Sequence, residues 1–159
     1  MVSRSKHRLT AYRIGSAAHP LLDGSGAAAS DAARWNSRGR YVIYAVEHYA
    51  TALLEKAAQV NSARIPRSLR FTKIDLPAGI TVEELHTEDL PGWDADDRSA
   101  SQAFGNSWYD EARSLILFVP SLAAPGIERN MLIHQHHPQF DKIRATVPES
   151  VRCHPRLLI

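Results

Sequence analysis

The side chains able to do chemistry are unevenly spread along the chain. The densest run is Arg34-Trp35-Asn36-Ser37-Arg38-Gly39, leading into Arg40-Tyr41-Val42-Ile43-Tyr44, with Glu55 eleven residues further on. Arg13, in Tyr12-Arg13-Ile14, and Ser121, which closes the apolar run Ser114 to Pro120, stand apart from it. This set offers no pair of carboxylates for acid–base work. It suits another task. A guanidinium pairs bidentately with a diphosphate, and an aromatic ring stacks on a planar cationic heterocycle. A lone carboxylate stabilises the oxocarbenium-like charge that forms as a glycosidic bond breaks, or holds a ribose hydroxyl. A serine orients a ribose or an amide. These are the demands of cleaving the nicotinamide–ribose bond of NAD, with NAD as substrate and no cofactor. Spacing alone leaves open whether the residues meet.

Other chemistries are poorly supported. His134, His136 and His137 are close enough in sequence to share an ion, but no fourth ligand is spaced to match, so no metal site is expected. A Gly-rich dinucleotide fingerprint, a phosphate loop and a Gly-x-Ser-x-Gly elbow are all missing. Cys153 lies among Arg152, His154 and Arg156, yet its place in the tail favours an inert thiol. Read residue by residue, Arg13 is a solvated strand residue and Glu55 a boundary residue beside a helical apolar stripe.

Composition narrows the class. The 159 residues fit one domain with one core, spanning 1–159 with its core at about 9–145 and a polar, frayed segment at 1–8. A net charge of +2 does not argue for direct nucleic-acid binding. With one cysteine there is no intrachain disulfide. No apolar run approaches the roughly 18–20 residues that span a bilayer, and no secretory leader is evident. The expectation is a cytoplasmic protein without a membrane partner.

The elements that must position these residues follow from periodicity and punctuation. Strands are expected at 9–14, 40–46, 67–76 with a bulge, 114–120 and 129–133. On the first, alternation puts Tyr12 and Ile14 on one face and Arg13 on the other. A helix is expected at 48–60 with the apolar stripe Ala50, Leu53, Leu54, Ala57 and Ala58, and another at 98–112, interrupted by Gly105 and Asn106, whose Phe104, Trp108 and Tyr109 belong to the core. Thr81-Val-Glu-Glu84 reads as a capping box opening a short helix. Residues 139–145 read as another short helix, 19–30 as an irregular connection, and 147–159 as a basic tail with some strand character. The sum is an α+β chain with a mixed or antiparallel central sheet flanked by short helices.

Three segments together resemble the RES-domain family, toxins of bacterial type II toxin–antitoxin systems. They are Tyr12-Arg13-Ile14; Arg34-Trp-Asn-Ser-Arg-Gly39 through Val42-Ile-Tyr44 to Ala52-Leu-Leu-Glu55; and Ser114 through Val119-Pro-Ser121 with Pro125-Gly-Ile-Glu-Arg-Asn130 and His137-Pro-Gln-Phe140. The resemblance implies a fold like that of ADP-ribosyltransferases and an activity that depletes NAD, by hydrolysis or phosphorolysis. The alternative is mono-ADP-ribosylation of a protein or nucleic-acid target. Carried across, Arg13 is the family arginine, Glu55 the glutamate and Ser121 the serine, with Ser114 the alternative. Arg34 and Tyr44 match further site positions, and Tyr12, Trp35 and Asn36 join them as expected NAD-binding residues. The chain departs from the family at Ala33, where glycine is usual, and at His134-Gln-His-His-Pro138, where Asn-Pro-Ala-His-Pro is usual. The implied partner is a helix-turn-helix antitoxin that blocks the active site, with room for a homo-oligomer in the complex.

Overall fold

The computed structural model describes residues 1–159. Nine strands form one mixed sheet: β1 Ser3–Arg4, β2 Leu9–Ser16, β3 Val42–Val46, β4 Leu69–Leu76, β5 Thr81–Glu84, β6 Ile116–Pro120, β7 Arg129–His134, β8 Arg144–Ala145 and β9 Glu149–Ser150. Their order is β1-β5-β6-β7-β3-β2-β4-β8, with β9 also on β4. The β5–β6 pair is parallel and every other pair antiparallel. The helices are α1 Ser25–Ala28, α2 Tyr49–Gln59 and α3 Ser99–Asp110. This is the α+β architecture expected.

The sheet is almost two sheets. β2 pairs with β4 along all eight of its residues, but with β3 only at Tyr12 opposite Val46. Beyond that point the strands diverge, so Arg13 and Ala45, then Ile14 and Tyr44, face one another across a wedge instead of a ladder. Both halves are covered by apolar clusters. On one face of β3, Ile43 and Ala45 join Ala11, Leu76, Ile116 and Met131. On the other, Val42 packs with Trp35, Trp93, Trp108 and Leu117 under α3, and Val46 packs with Ile14, Ala52 and Phe71 under α2. β6 is buried along its whole length, as its unbroken apolar run requires.

Several local expectations change. Residues 81–84 form a strand, because tertiary pairing outweighs a local capping signal: Thr81 Oγ1 donates to Gln139 Oε1 at 2.8 Å and accepts from the Leu115 N–H at 2.9 Å instead of capping. β1 pairs with β5, so the N-terminal segment is not frayed there. The β4 register is unbroken, with no bulge; its phase slip arises because Phe71 and Ile74 serve opposite apolar clusters. Residues 140–142 are a single 3-10 turn followed by β8, not a helix.

α2 buries Thr51 and Ala52, while Leu54 is 56% exposed. Of the expected stripe, Leu53 and Ala57 pack against the apolar cluster under α2, whereas Ala50, Leu54 and Ala58 are exposed. α3 runs without interruption because Gly105 is where the Trp35 backbone crosses it. A Cβ there would lie 1.8 Å from the Trp35 carbonyl oxygen. No helix is long and apolar enough to cross a membrane.

Candidate active site

The wedge between β2 and β3, roofed by α2 and the connection from β6, holds a cavity of about 840 Å³. That is within the usual range for small-molecule and cofactor sites, roughly 300–1,000 Å³. Tyr12, Arg13, Arg34, Trp35, Tyr44 and Glu55 all line it. Arg13 is therefore not a solvated strand residue. Because the strands part at Tyr12, successive residues of β2 reach the same cavity despite alternating faces. Its Nη1 donates to the Asp23 carbonyl at 3.1 Å, and burial draws its pKa down while the Asp23 charge opposes that shift.

Glu55 sits on the cavity side of α2. Its Oε1 accepts a hydrogen bond from Asn130 Nδ2 at 2.9 Å. Burial raises its carboxyl pKa above the ordinary value, partly offset by the Asn130 hydrogen bond and the neighbouring Lys56. Lys56 also lines the cavity. Its ammonium pKa is lowered by burial first and by the charge of Arg13 second. Two cations held close at the expense of their own solvation favour an anion between them. Lys56 Nζ donates to Gln59 Oε1 at 2.9 Å.

The Arg34–Gly39 loop is organised differently from its sequence promise. Most of its polar groups are spent inside the protein. Asn36 is fully buried: Nδ2 donates to the carbonyls of Ala27 and Ser37, each at 3.1 Å, and Oδ1 accepts from Tyr44 Oη at 2.5 Å. Tyr44 Oη in turn accepts the Trp35 N–H at 3.2 Å. Burial raises the Tyr44 pKa strongly, and the residue lines the cavity. Trp35 is 4% exposed and stacks on Trp93 at 6.2 Å, as core packing. Arg34 Nη1 donates to the carbonyls of Trp93 and Ala95 at 3.0 and 2.9 Å, which ties the loop to the 93–95 turn.

The polar face of α3 holds the same loop from behind. Ser101 Oγ donates to the Arg34 carbonyl at 2.7 Å, and Gln102 Nε2 donates to the Ala33 carbonyl at 2.7 Å. Asn106 accepts from the Ser37 N–H at 2.9 Å and donates to Ser37 Oγ at 2.8 Å.

Asn36 and Ser121 do not line the cavity. Ser121 is fully buried, and its Oγ accepts from the N–H groups of Ala123 and Ala124 at 3.2 and 3.3 Å. It holds a turn whose Pro120, Leu122 and Ala123 are the wall. Ser114 is buried beyond the opposite end of β6, accepting from Trp108 Nε1 at 2.9 Å. His134 stacks on Tyr109 at 3.9 Å with its Nε2 at 2.9 Å from the Tyr109 carbonyl oxygen, and burial lowers its pKa.

Two lining residues, Lys56 and Asn130, were not anticipated as site residues. Lys56 follows Glu55 directly but falls outside any motif. Asn130 closes one of the segments shared with the family but carries no assigned role until its Nδ2 is seen bonded to Glu55 of α2.

A match to the RES domain runs over residues 10–155. A Prs ADP-ribosylating toxin from Sphingobium sp. (strain YBL2) is 33% identical over 141 residues, which is 86% of each chain. Toxin Res from Pseudomonas putida is 30% identical over 118 residues, covering 73% of this chain and 79% of its own. The crystal structure of the Mycobacterium tuberculosis MbcT–MbcA toxin–antitoxin complex holds a chain that superposes with a TM-score of 0.71 at 17% identity, covering 93% of this chain and 86% of that one. With the RES match covering nearly the whole chain, and Arg13 and Glu55 lining one cavity inside the matched span, the chain belongs to the RES-domain family of toxins.

Proposed function

We propose that this chain is the toxin of a toxin–antitoxin pair and acts on NAD, breaking its nicotinamide–ribose bond in the wedge between β2 and β3. The observation that carries the reading is the convergence of Arg13 from β2, Tyr44 from β3 and Glu55 from α2 on one cavity. Arg13, with Lys56 and the remaining N–H groups of Arg34, takes the diphosphate. The Tyr44 ring packs against nicotinamide or ribose. Glu55 faces the anomeric carbon. As the C–N bond breaks, its electron pair leaves with nicotinamide, and positive charge develops on the ribosyl ring beside the carboxylate. In a site partly withdrawn from water that attraction is stronger than it is in bulk. Ser121 acts through the turn it holds, and Trp35 and Asn36 by holding Tyr44 in place.

Capture of the ribosyl cation by water or phosphate gives degradation of NAD. A second reading, transfer of the ADP-ribosyl group to a protein, is favoured by the similarity to the Sphingobium Prs ADP-ribosylating toxin. Labelled NAD separates them. Label in free ADP-ribose or its phosphorylated form supports degradation, and label retained on protein supports transfer. In either case Glu55→Gln abolishes turnover. Turnover that is unchanged in this variant refutes the role of Glu55.

The partner of this reading is a helix-turn-helix antitoxin that covers the cavity mouth, where Leu54 and Leu122 are 56% and 49% exposed. The toxin then reaches DNA through its partner and not directly.

A further inference from the structure

Asn130 stands out on grounds independent of any motif. Of all buried side-chain nitrogen and oxygen atoms in the protein, only Asn130 Oδ1 has no hydrogen-bond partner. Leaving such an acceptor unsatisfied costs about 1–3 kcal/mol, and native structures rarely keep one without a use. The same side chain lines the cavity, and its Nδ2 is already committed to Glu55 Oε1 at 2.9 Å. The amide orientation is set by that bond, because the reverse would turn an oxygen toward the carboxylate.

The backbone under Asn130 is rigid. It is paired on both sides, opposite Val46 of β3 and Val119 of β6. The preceding residue is pinned as well: Arg129 donates to Glu47 at 2.9 and 3.1 Å and to Glu84 at 2.9 Å, with its guanidinium 3.6 Å above the Phe118 ring. Glu128 accepts from Thr51 Oγ1 on α2, which ties the strand entry to the helix that carries Glu55. Oδ1 has almost no accessible surface, so a ligand hydroxyl meets it as the Asn130 amide turns slightly toward the cavity that its side chain lines.

Resting on the reading above, we infer that Asn130 is a positioning residue of the site: Nδ2 orients the Glu55 carboxylate, and Oδ1 accepts a hydrogen bond from a hydroxyl of the ribosyl group bonded to nicotinamide. One side chain then sets the angle of the carboxylate and the ring it faces, which is the role that outer partners play for the groups they orient. The charged groups that act on Glu55 are Lys56 on α2 and Glu128 before β7; Tyr12 and Arg13 on β2, Arg34, and Tyr44 on β3 line the same cavity.

Two variants separate the two atoms. Asn130→Asp is nearly isosteric; it keeps an acceptor but replaces the donor to Glu55 with a like charge. Asn130→Ala removes both. The first measurement needs no turnover: the Glu55 carboxyl is titrated by NMR in the wild-type chain and both variants. The titration is expected at higher pH in Asn130→Ala and higher still in Asn130→Asp. An unchanged Glu55 titration in both overturns the orienting role.

The second measurement compares NAD with analogues lacking the 2′- or the 3′-hydroxyl of the nicotinamide ribose. Loss of the hydroxyl that meets Oδ1 is expected to lower wild-type kcat/KM by about 10–100-fold, the range that follows from leaving one buried acceptor unpaired. Asn130→Ala, slowed to a similar extent on NAD, then no longer distinguishes NAD from that analogue. Equal discrimination by wild type and Asn130→Ala overturns the acceptor role. A folded wild-type chain that consumes no NAD, with label neither released nor transferred, refutes the functional reading. The titration judges the Glu55–Asn130 coupling separately.

Discussion

Gly105→Ala sets two effects of opposite sign against each other. In an exposed helix interior the change from glycine to alanine stabilises by about 1 kcal/mol. Here the added Cβ falls 1.8 Å from the Trp35 carbonyl oxygen and 2.8 Å from its carbonyl carbon. Since real Cβ contacts essentially never fall below 3.0 Å, the loop backbone must retreat by more than an ångström. That backbone is held by the bonds from Ser101, Gln102 and Asn106 at 2.7–2.9 Å, and such bonds do not stretch by an ångström intact. Overpacking a tight contact costs about 1–3 kcal/mol, and losing two net hydrogen bonds adds about 1–3 more. After the helix-propensity gain the variant is less stable by about 1–5 kcal/mol.

At about 2–4 °C per kcal/mol for a chain of this size, the midpoint falls by about 2–20 °C. Thermal unfolding followed by circular dichroism measures it. Gly26→Ala, where an added Cβ meets nothing within 4 Å, is the control. A Gly105→Ala chain as stable as the wild type, or more stable, refutes the argument that this helix exists to hold the loop. Because Trp35 N–H is bonded to Tyr44 Oη, NAD turnover also falls at temperatures where the variant is fully folded.

Other perturbations separate structural from chemical roles. Asn36→Ala strands the Tyr44 hydroxyl and the carbonyls of Ala27 and Ser37 in a buried site; the expected result is a loss of about 2–4 kcal/mol, read as a lower denaturation midpoint, whereas a raised KM at unchanged stability would mark a ligand contact instead. Glu55→Gln abolishes turnover and stabilises the chain at neutral pH. Burial raises the Glu55 pKa in the folded state, so folding binds its proton more tightly, and wild-type stability falls as pH rises between the unfolded and the folded pKa. The stability advantage of Glu55→Gln over wild type therefore grows across that window and is absent below it, which melting curves at several pH values will show. Lys56→Gln weakens ADP-ribose binding by about 10–100-fold, as expected for one charged hydrogen bond, and leaves binding of free nicotinamide unchanged; calorimetric titration with both ligands checks it.

The parts of the fold most legible in the sequence were those whose signal is local. β6 declares itself by an unbroken apolar run, β7 and β3 by β-branched and apolar residues, and α2 and α3 by length and helix-forming content. Where two sources of order competed, the local one lost. The capping pattern at Thr81 gave way to strand pairing with β1 and β6. The alanines and leucines of α2 suggested a buried stripe at Ala50, Leu53, Leu54, Ala57 and Ala58; the helix turns Thr51 and Ala52 inward with Leu53 and Ala57 beside them and leaves the other three exposed. Alanine is small enough to lie on either side of a helix, so it fixes the phase weakly.

For the site, the types Arg13, Tyr44 and Glu55 and their order along the chain were evident from the sequence alone, as was their kinship to one family. Those are properties of residues, and residues carry them in any conformation. Tertiary structure decided which of the suggestive side chains line the cavity. Asn36 and Ser121 look reactive as text, but each satisfies buried backbone or side-chain partners. Asn130 and Lys56 look ordinary, but each reaches the cavity. A polar side chain is equally able to bond its own backbone or a substrate, and only the packing of distant segments determines which partner is near. The splay of β2 from β3 beyond one residue pair, which makes the cavity at all, is likewise a matter of how two half-sheets are covered, and no local stretch of sequence records it.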